Sequence, residues 1–200
     1  MQTAKQYLLK NDPVLGKIIN EIGDCPLKPH NRYYQELVEA IIGQQLSIKA
    51  AASIIKRFLE LFNGDFPNPK QILAKDHQQL RSAGLSNAKA NYIRDLAQHI
   101  ETGELVVEKL PSLSNQEVIK ELTAVKGIGE WTAHMFLIFS LGRLDVLPVG
   151  DLGLKIGVQK AYKLKGLPTP LEVSNLALRK HWHPYESVAT WYIWQSLSQK

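Results

Sequence analysis

The chain has 200 residues, 24 of them lysine or arginine against 19 aspartates and glutamates, for a net charge of +5, and 44% are hydrophobic. Such a length and apolar share support one self-folding domain, or two small lobes sharing a core, and the mild positive balance is compatible with a polyanionic partner without requiring one. The single cysteine, Cys25, excludes an internal disulfide, a four-cysteine zinc site and a cysteine-ligated iron–sulfur cluster, and reads as a free thiol in a reducing compartment.

The opening stretch MQTAKQYLLKNDP lacks the apolar centre of a signal peptide, and no window approaches the roughly 20 apolar residues of a membrane span. A soluble intracellular protein without a membrane partner is expected, in the cytoplasm or nucleoid of a prokaryote or the nucleus of a eukaryote. Tyr7, Leu8, Leu15, Ile18 and Ile19 recur at helical spacing, so residues 1–29 complete a lobe of the core and are too few for a separate β-rich amino-terminal domain.

Tyr34, Leu37, Val38, Ile41 and Ile42 form the next helical stripe, and a further one runs through Ala51, Ile54, Ile55, Phe58, Leu59 and Phe62. Gly43-Gln44-Gln45 separates them, and Ser47 is placed to cap the second, its hydroxyl accepting an amide proton that the first turn leaves unpaired. Asn68-Pro69, Asp76, Ser86, Thr169-Pro170 and His183-Pro184 each read as a helix start, and Ser114 with Glu117 has the spacing of a capping box. Only Leu105 to Leu110 has β-character, too short and solitary to found a sheet. The pattern is that of an all-α protein of about nine to eleven helices.

Two segments resemble each other. Leu80 to Ile93 (LRSAGLSNAKANYI) and Leu122 to Phe136 (LTAVKGIGEWTAHMF) share a leucine, a tight turn of glycine, aliphatic and small residue, and an alanine five positions after the aliphatic. Both read as helix, hairpin, helix. In the second, Lys126-Gly127-Ile128-Gly129 lets the isoleucine plug into the core while each glycine can take positive φ and admit another backbone. The helix that follows from Glu130 offers unpaired backbone N–H groups at the positive end of its macrodipole, a place for a phosphate. A grip of that kind holds DNA without reading its sequence. Thr132 and Ala133 face back into the apolar run of Met135, Phe136, Leu137, Ile138 and Phe139.

LTAVKGIGEWTA followed by PVGDLG, with AIIGQQLS upstream and WHPYESVATWYIW near the end, resembles the helix-hairpin-helix DNA glycosylase superfamily and, within it, the 3-methyladenine DNA glycosylase II branch. The four motifs keep the family's order and spacing over roughly residues 30–197. The resemblance implies a two-lobed all-α fold with the active site in the cleft between the lobes, the hairpin motif at 114–141, and residues 1–200 as a single glycosylase domain. It also implies double-stranded DNA containing damaged bases as partner and a monomeric enzyme.

By the same resemblance Asp151 is the catalytic carboxylate, although an aspartate at a helix start would otherwise read as a cap. Asp145, six residues earlier, is the nearest competitor, and the spacing of PVGDLG favours Asp151. Trp131 and Trp194 match positions that line the base pocket, with Met135 alongside. For both tryptophans, core packing is the competing reading. Trp131 stands where glycosylases that cleave the strand through a Schiff base carry a nucleophilic lysine, which implies a monofunctional enzyme. Lys126, Gly127, Ile128, Gly129, Gln44, Gln45 and Ser47 fall on DNA-contacting positions, with Gln45 where a leucine wedge stands in relatives and Lys126 in place of a proline. No catalytic cofactor is implied. The main-chain carbonyls of Thr123, Val125 and Ile128 match a site for structural Na+ or K+. The activity so implied is hydrolytic excision of alkylated purines of the 3-methyladenine and 7-methylguanine type. Two readings stay open: a helix-hairpin-helix lesion-binding protein without catalysis, and a glycosylase for hypoxanthine, uracil or mismatched thymine.

Overall fold

A computed structural model describes residues 1–198; the last two residues of the expected 1–200 domain lie outside it. The described residues form helices and no strands, in two compact units: Met1–Pro29 with Leu137–Lys200, and His30–Phe136. Among the described residues no helix is long and apolar enough to cross a membrane.

The second unit holds α3 (Tyr33–Gly43), α4 (Ile48–Glu60), α5 (Pro69–Ala74), α6 (His77–Ser82), α7 (Asn87–Glu101), α8 (Asn115–Thr123) and α9 (Glu130–Met135). α7 is its axis, packed against α3, α5 and α6 through buried Ala90, Ile93, Leu96 and Ala97. Side-chain caps set most starts as expected. Ser47 and Ser86 each accept an N3 amide, and Asn68, Asp76 and Ser114 close full capping boxes with Gln71, Gln79 and Glu117. The segment of β-character becomes a 3₁₀ helix over Val107–Ser112, with Val107 and Leu110 buried. With no neighbouring strand to pair with, its backbone bonds locally.

The first unit holds α1 (Gln2–Asn11), α2 (Pro13–Ile22), α10 (Leu152–Ala161), α11 (Pro170–Arg179) and α12 (Glu186–Ser196). Twelve α-helices are therefore present among the described residues, against the nine to eleven expected. Part of the difference lies at the amino end, where Pro13 cannot donate to a continuing helix and Asp12 caps a new one, accepting the amides of Val14 and Leu15. His183-Pro184 also departs from expectation. That peptide is cis, and α12 starts only after Tyr185, whose amide donates to the Trp182 carbonyl and closes the turn.

α12 lies against α2 and α10, and its contact with α10 is set by Gly157. A Cβ there would lie 2.3 Å from Ile193 Cγ2 and 3.1 Å from the Ile193 carbonyl oxygen. Gly157→Ala is therefore expected to lose about 1–3 kcal/mol to overpacking, only partly offset by a helix-propensity gain of about 1 kcal/mol. A lowered thermal midpoint is the expected reading, and an unchanged or raised one would show that the two helices part freely.

Candidate active site

The site residues expected from the sequence divide between the two units. In the second unit, α8 ends at Thr123 and α9 begins at Glu130, so the segment between them is a helix-to-helix hairpin. Ile128 is buried and plugs the turn. Gly127 sits at φ +86°, and a Cβ on it would lie 2.2 Å from the ring of Tyr92 on α7, so both conformation and space demand glycine. Gly129 differs from expectation: at φ −93° and ψ 173° it is an extended N-cap, and a Cβ would meet nothing within 4 Å. Its lack of a side chain serves no packing inside the protein and leaves the start of α9 uncovered. The earlier hairpin repeats the geometry, with Gly84 at φ +96° and Ser86 capping α7.

Lys126 donates its amide to Asp95 Oδ2 at 2.8 Å and holds its ammonium 3.4 Å from Asp95 Oδ1, so part of its charge is met within the protein. Gln44 donates from Nε2 to the Gly127 carbonyl at 2.7 Å, which joins the 43–47 loop to the hairpin. Gln45 is exposed and adopts φ +57°, beside exposed Leu46 and Ile48, while the Ser47 hydroxyl accepts the Ala50 amide at 3.3 Å. The carbonyl of Thr123, the last residue of α8, and that of Val125 just beyond it carry the partial negative charge of a helix C-terminus, and that of Val125 accepts the Ile128 amide at 3.1 Å with one lone pair. Neutral oxygens of this kind suit a monovalent cation.

Trp131 leaves 53% of its surface exposed, unlike a core side chain, whereas Thr132 and Ala133 behind it are buried. Met135 is half-buried. After Met135 the helix loosens into a π turn over Phe136–Ser140.

In the first unit Asp151 is both cap and candidate carboxylate. Its Oδ1 accepts the Leu154 amide at 2.6 Å, as an N-cap does, and also the indole N–H of Trp194 at 2.8 Å. The carboxylate is thereby fixed at the positive end of α10. A Cβ on Gly153 would stand 3.1 Å from Asp151 Oδ1 and 3.3 Å from Trp194 Nε1, so the glycine keeps that contact open. Phe139 stacks on Trp194 with ring centroids 6.1 Å apart and planes 18° from parallel, and it stays 40% exposed.

In the sequence Phe139 is one apolar residue among five, yet it joins the candidate site. Five consecutive apolar residues cover every side of a helix, so at least one must look away from the core, and this was the available signal. Trp182 and Tyr192 are structural, both fully buried, with Trp182 bonded to Asp12 and Tyr192 to the Gly23 carbonyl. Asp145 is exposed, outside the cap position that Asp151 holds.

Known proteins share this architecture. The chain is 34% identical over 202 aligned residues to the alkylbase DNA glycosidase-like protein mag2 of Schizosaccharomyces pombe, covering 96% of this chain and 92% of that one. It is 38% identical over 165 residues to DNA-3-methyladenine glycosylase 1 of the same yeast, covering 82% and 72%. The solved structure of the 3-methyladenine DNA glycosylase Mag1 of Schizosaccharomyces pombe, in complex with abasic DNA, superposes with a TM-score of 0.85 at 33% identity, over 98% of this chain and 97% of the other. Residues 38–184 match the model of the HhH-GPD superfamily of base excision DNA repair proteins, and the chain belongs to that family.

Proposed function

We propose that this protein is a monofunctional DNA glycosylase that releases alkylated purines of the 3-methyladenine and 7-methylguanine type from double-stranded DNA, by hydrolysis, as the first step of base excision repair. The observation that carries the reading is Asp151, in a chain of this family, held by the Leu154 amide and the Trp194 indole.

Purines alkylated at these positions are cationic. When the N-glycosidic bond breaks, its electron pair moves onto the base, which leaves neutral, and positive charge appears on the sugar. A fixed carboxylate stabilises that charge far better than bulk water, because it needs no reorganisation as the charge develops. Water then adds to the anomeric carbon, and Asp151 orients it and takes its proton. The base must first be rotated out of the duplex. Trp131, Trp194 and Met135 are proposed to line the pocket that receives it, joined by Phe139, because a cationic base is drawn to electron-rich ring faces.

Gly127 and Gly129 are proposed to hold a DNA phosphate through backbone amides, with Ile128 bracing the turn between them through its own amide and buried side chain and Lys126 beside them, and Gln44, Gln45 and Ser47 to meet the duplex from the neighbouring loop. A Na+ or K+ ion on the carbonyls of Thr123, Val125 and Ile128 would offset phosphate charge there; the reaction itself needs no bound cofactor. The two units are proposed to act together as one glycosylase domain in a monomer that works wherever the cell keeps its DNA.

The test is a panel of duplexes, each with a single 3-methyladenine, 7-methylguanine, hypoxanthine, uracil or mismatched thymine, scored for free base and for alkali-sensitive sites. Free methylated purine and alkali-sensitive sites in equal amounts are expected, with the strand intact before alkali. Because Trp131 replaces the lysine a Schiff base requires, borohydride is expected to trap no covalent adduct. A trapped adduct would refute the monofunctional reading. Tight binding to methylated duplex without base release would favour a lesion-binding protein instead.

A further inference from the structure

We infer that Lys89 is a positioning residue that locks the 43–47 loop to the hairpin turn, so that the two segments proposed to touch DNA form one pre-set surface. The inference rests on the DNA-binding reading above.

Lys89 is a half-buried lysine near the start of α7, and its ammonium donates to the carbonyls of Ile42 at 2.8 Å and Gln44 at 2.7 Å. Those carbonyls lie at the end of α3, where no further turn supplies donors and the macrodipole is negative. With two of its three N–H donors directed at backbone, Lys89 is spent within the protein rather than offered as a surface cation. Burial lowers its pKa, consistent with that placement.

The clamp continues through Gln44, whose carbonyl Lys89 holds and whose amide group reaches the Gly127 carbonyl, 83 positions along the chain. α7 closes the circuit from the other side. One turn beyond Lys89, the Tyr92 ring packs where a Gly127 Cβ would stand; one turn further, Asp95 accepts the Lys126 amide. Spaced by three, Lys89, Tyr92 and Asp95 lie along one face of α7, and each grips the loop or the hairpin.

Something must hold that loop. Gln45 sits at φ +57°, a region that L-residues with side chains avoid, and it is exposed, so its own contacts cannot impose the conformation. Lys89 fixes the chain that leads into it, at the carbonyls of Ile42 and Gln44.

The experiment compares full-length wild type, Lys89→Met and Lys89→Arg for binding to methylated duplex across a salt series, for kcat and KM, and for amide hydrogen exchange of residues 42–47 and 124–129. For Lys89→Met we expect binding about tenfold weaker, the scale of one lost charge-assisted hydrogen bond, carried in KM with kcat nearly constant. The slope of log affinity against log salt should be unchanged, because no phosphate contact is removed, and Lys89→Arg should restore most of the affinity. Exchange should quicken in the loop and the hairpin together. A slope reduced by about one would make Lys89 a direct phosphate ligand and overturn the proposal. So would unchanged affinity, or faster exchange confined to residues 42–47. If Lys89→Met does not fold, Gln44→Met cuts the same chain one link later and must produce the same unchanged slope and quickened hairpin exchange. If wild type binds no duplex, the DNA reading itself fails, while the exchange comparison still decides whether loop and hairpin are coupled.

Discussion

Asp12→Ala is expected to lower the unfolding free energy by about 3–5 kcal/mol, a loss that equilibrium denaturation would read as a shifted midpoint. The side chain is fully buried, and both its oxygens are in use. Oδ1 caps α2 through the amides of Val14 at 3.0 Å and Leu15 at 3.2 Å; Oδ2 accepts the Trp182 indole N–H at 3.0 Å and the Tyr162 hydroxyl. Alanine would strand a buried indole N–H and a largely buried phenol as well as uncapping a helix. Each stranded group costs about 1–3 kcal/mol and the cap about 1. Asp12→Asn keeps the capping oxygen but sets an NH2 against the indole N–H, so it should fall between alanine and wild type. A loss below about 1 kcal/mol for alanine would mean that water replaces the carboxylate at little cost.

The same network sets a response to alkali. Burial first, and the hydrogen bond to Asp12 second, push the Tyr162 phenol well above its ordinary pKa. The unfolded chain releases that proton near pH 10 and the folded one only higher. Above about pH 10 the folded state holds the extra proton, so stability falls as pH rises, and below it the contribution is complete.

Local chemistry was readable from the sequence. Ser47, Asn68, Asp76, Ser86, Ser114 and Thr169 cap helices where expected, because a cap needs only a side-chain oxygen within three residues of its donor. The hairpin was equally plain, since its glycine spacing and plug residue are contiguous. What escaped depends on partners far along the chain. Asp12 meets Tyr162 and Trp182 at separations of 150 and 170 residues, and Lys89 meets the end of α3 at 45 and 47. No periodicity carries such pairings. Trp194 is an intermediate case: resemblance placed it at the pocket, its apolar stripe placed it in the core, and the structure bonds it to Asp151 while leaving it half-buried. Phe139 was hidden because a π turn, which leaves no mark in hydrophobic patterning, decides which of five apolar residues looks outward.

The central claim is that one carboxylate performs the chemistry, and Asp151→Asn tests it with little disturbance. Asparagine ranks with aspartate as a cap and keeps an oxygen for both the Leu154 amide and the Trp194 indole. Folding and DNA affinity should therefore persist. Only the negative charge is lost, and removing one preorganised electrostatic group from an active site typically costs about a hundredfold to a thousandfold in kcat. The decisive measurement is the single-turnover rate of free-base release from a duplex carrying one methylated purine, wild type beside Asp151→Asn, with binding affinity and thermal midpoint recorded for each. The prediction is a rate at least about a hundredfold lower in the variant, with affinity and midpoint near those of wild type. Equal rates of release would contradict it.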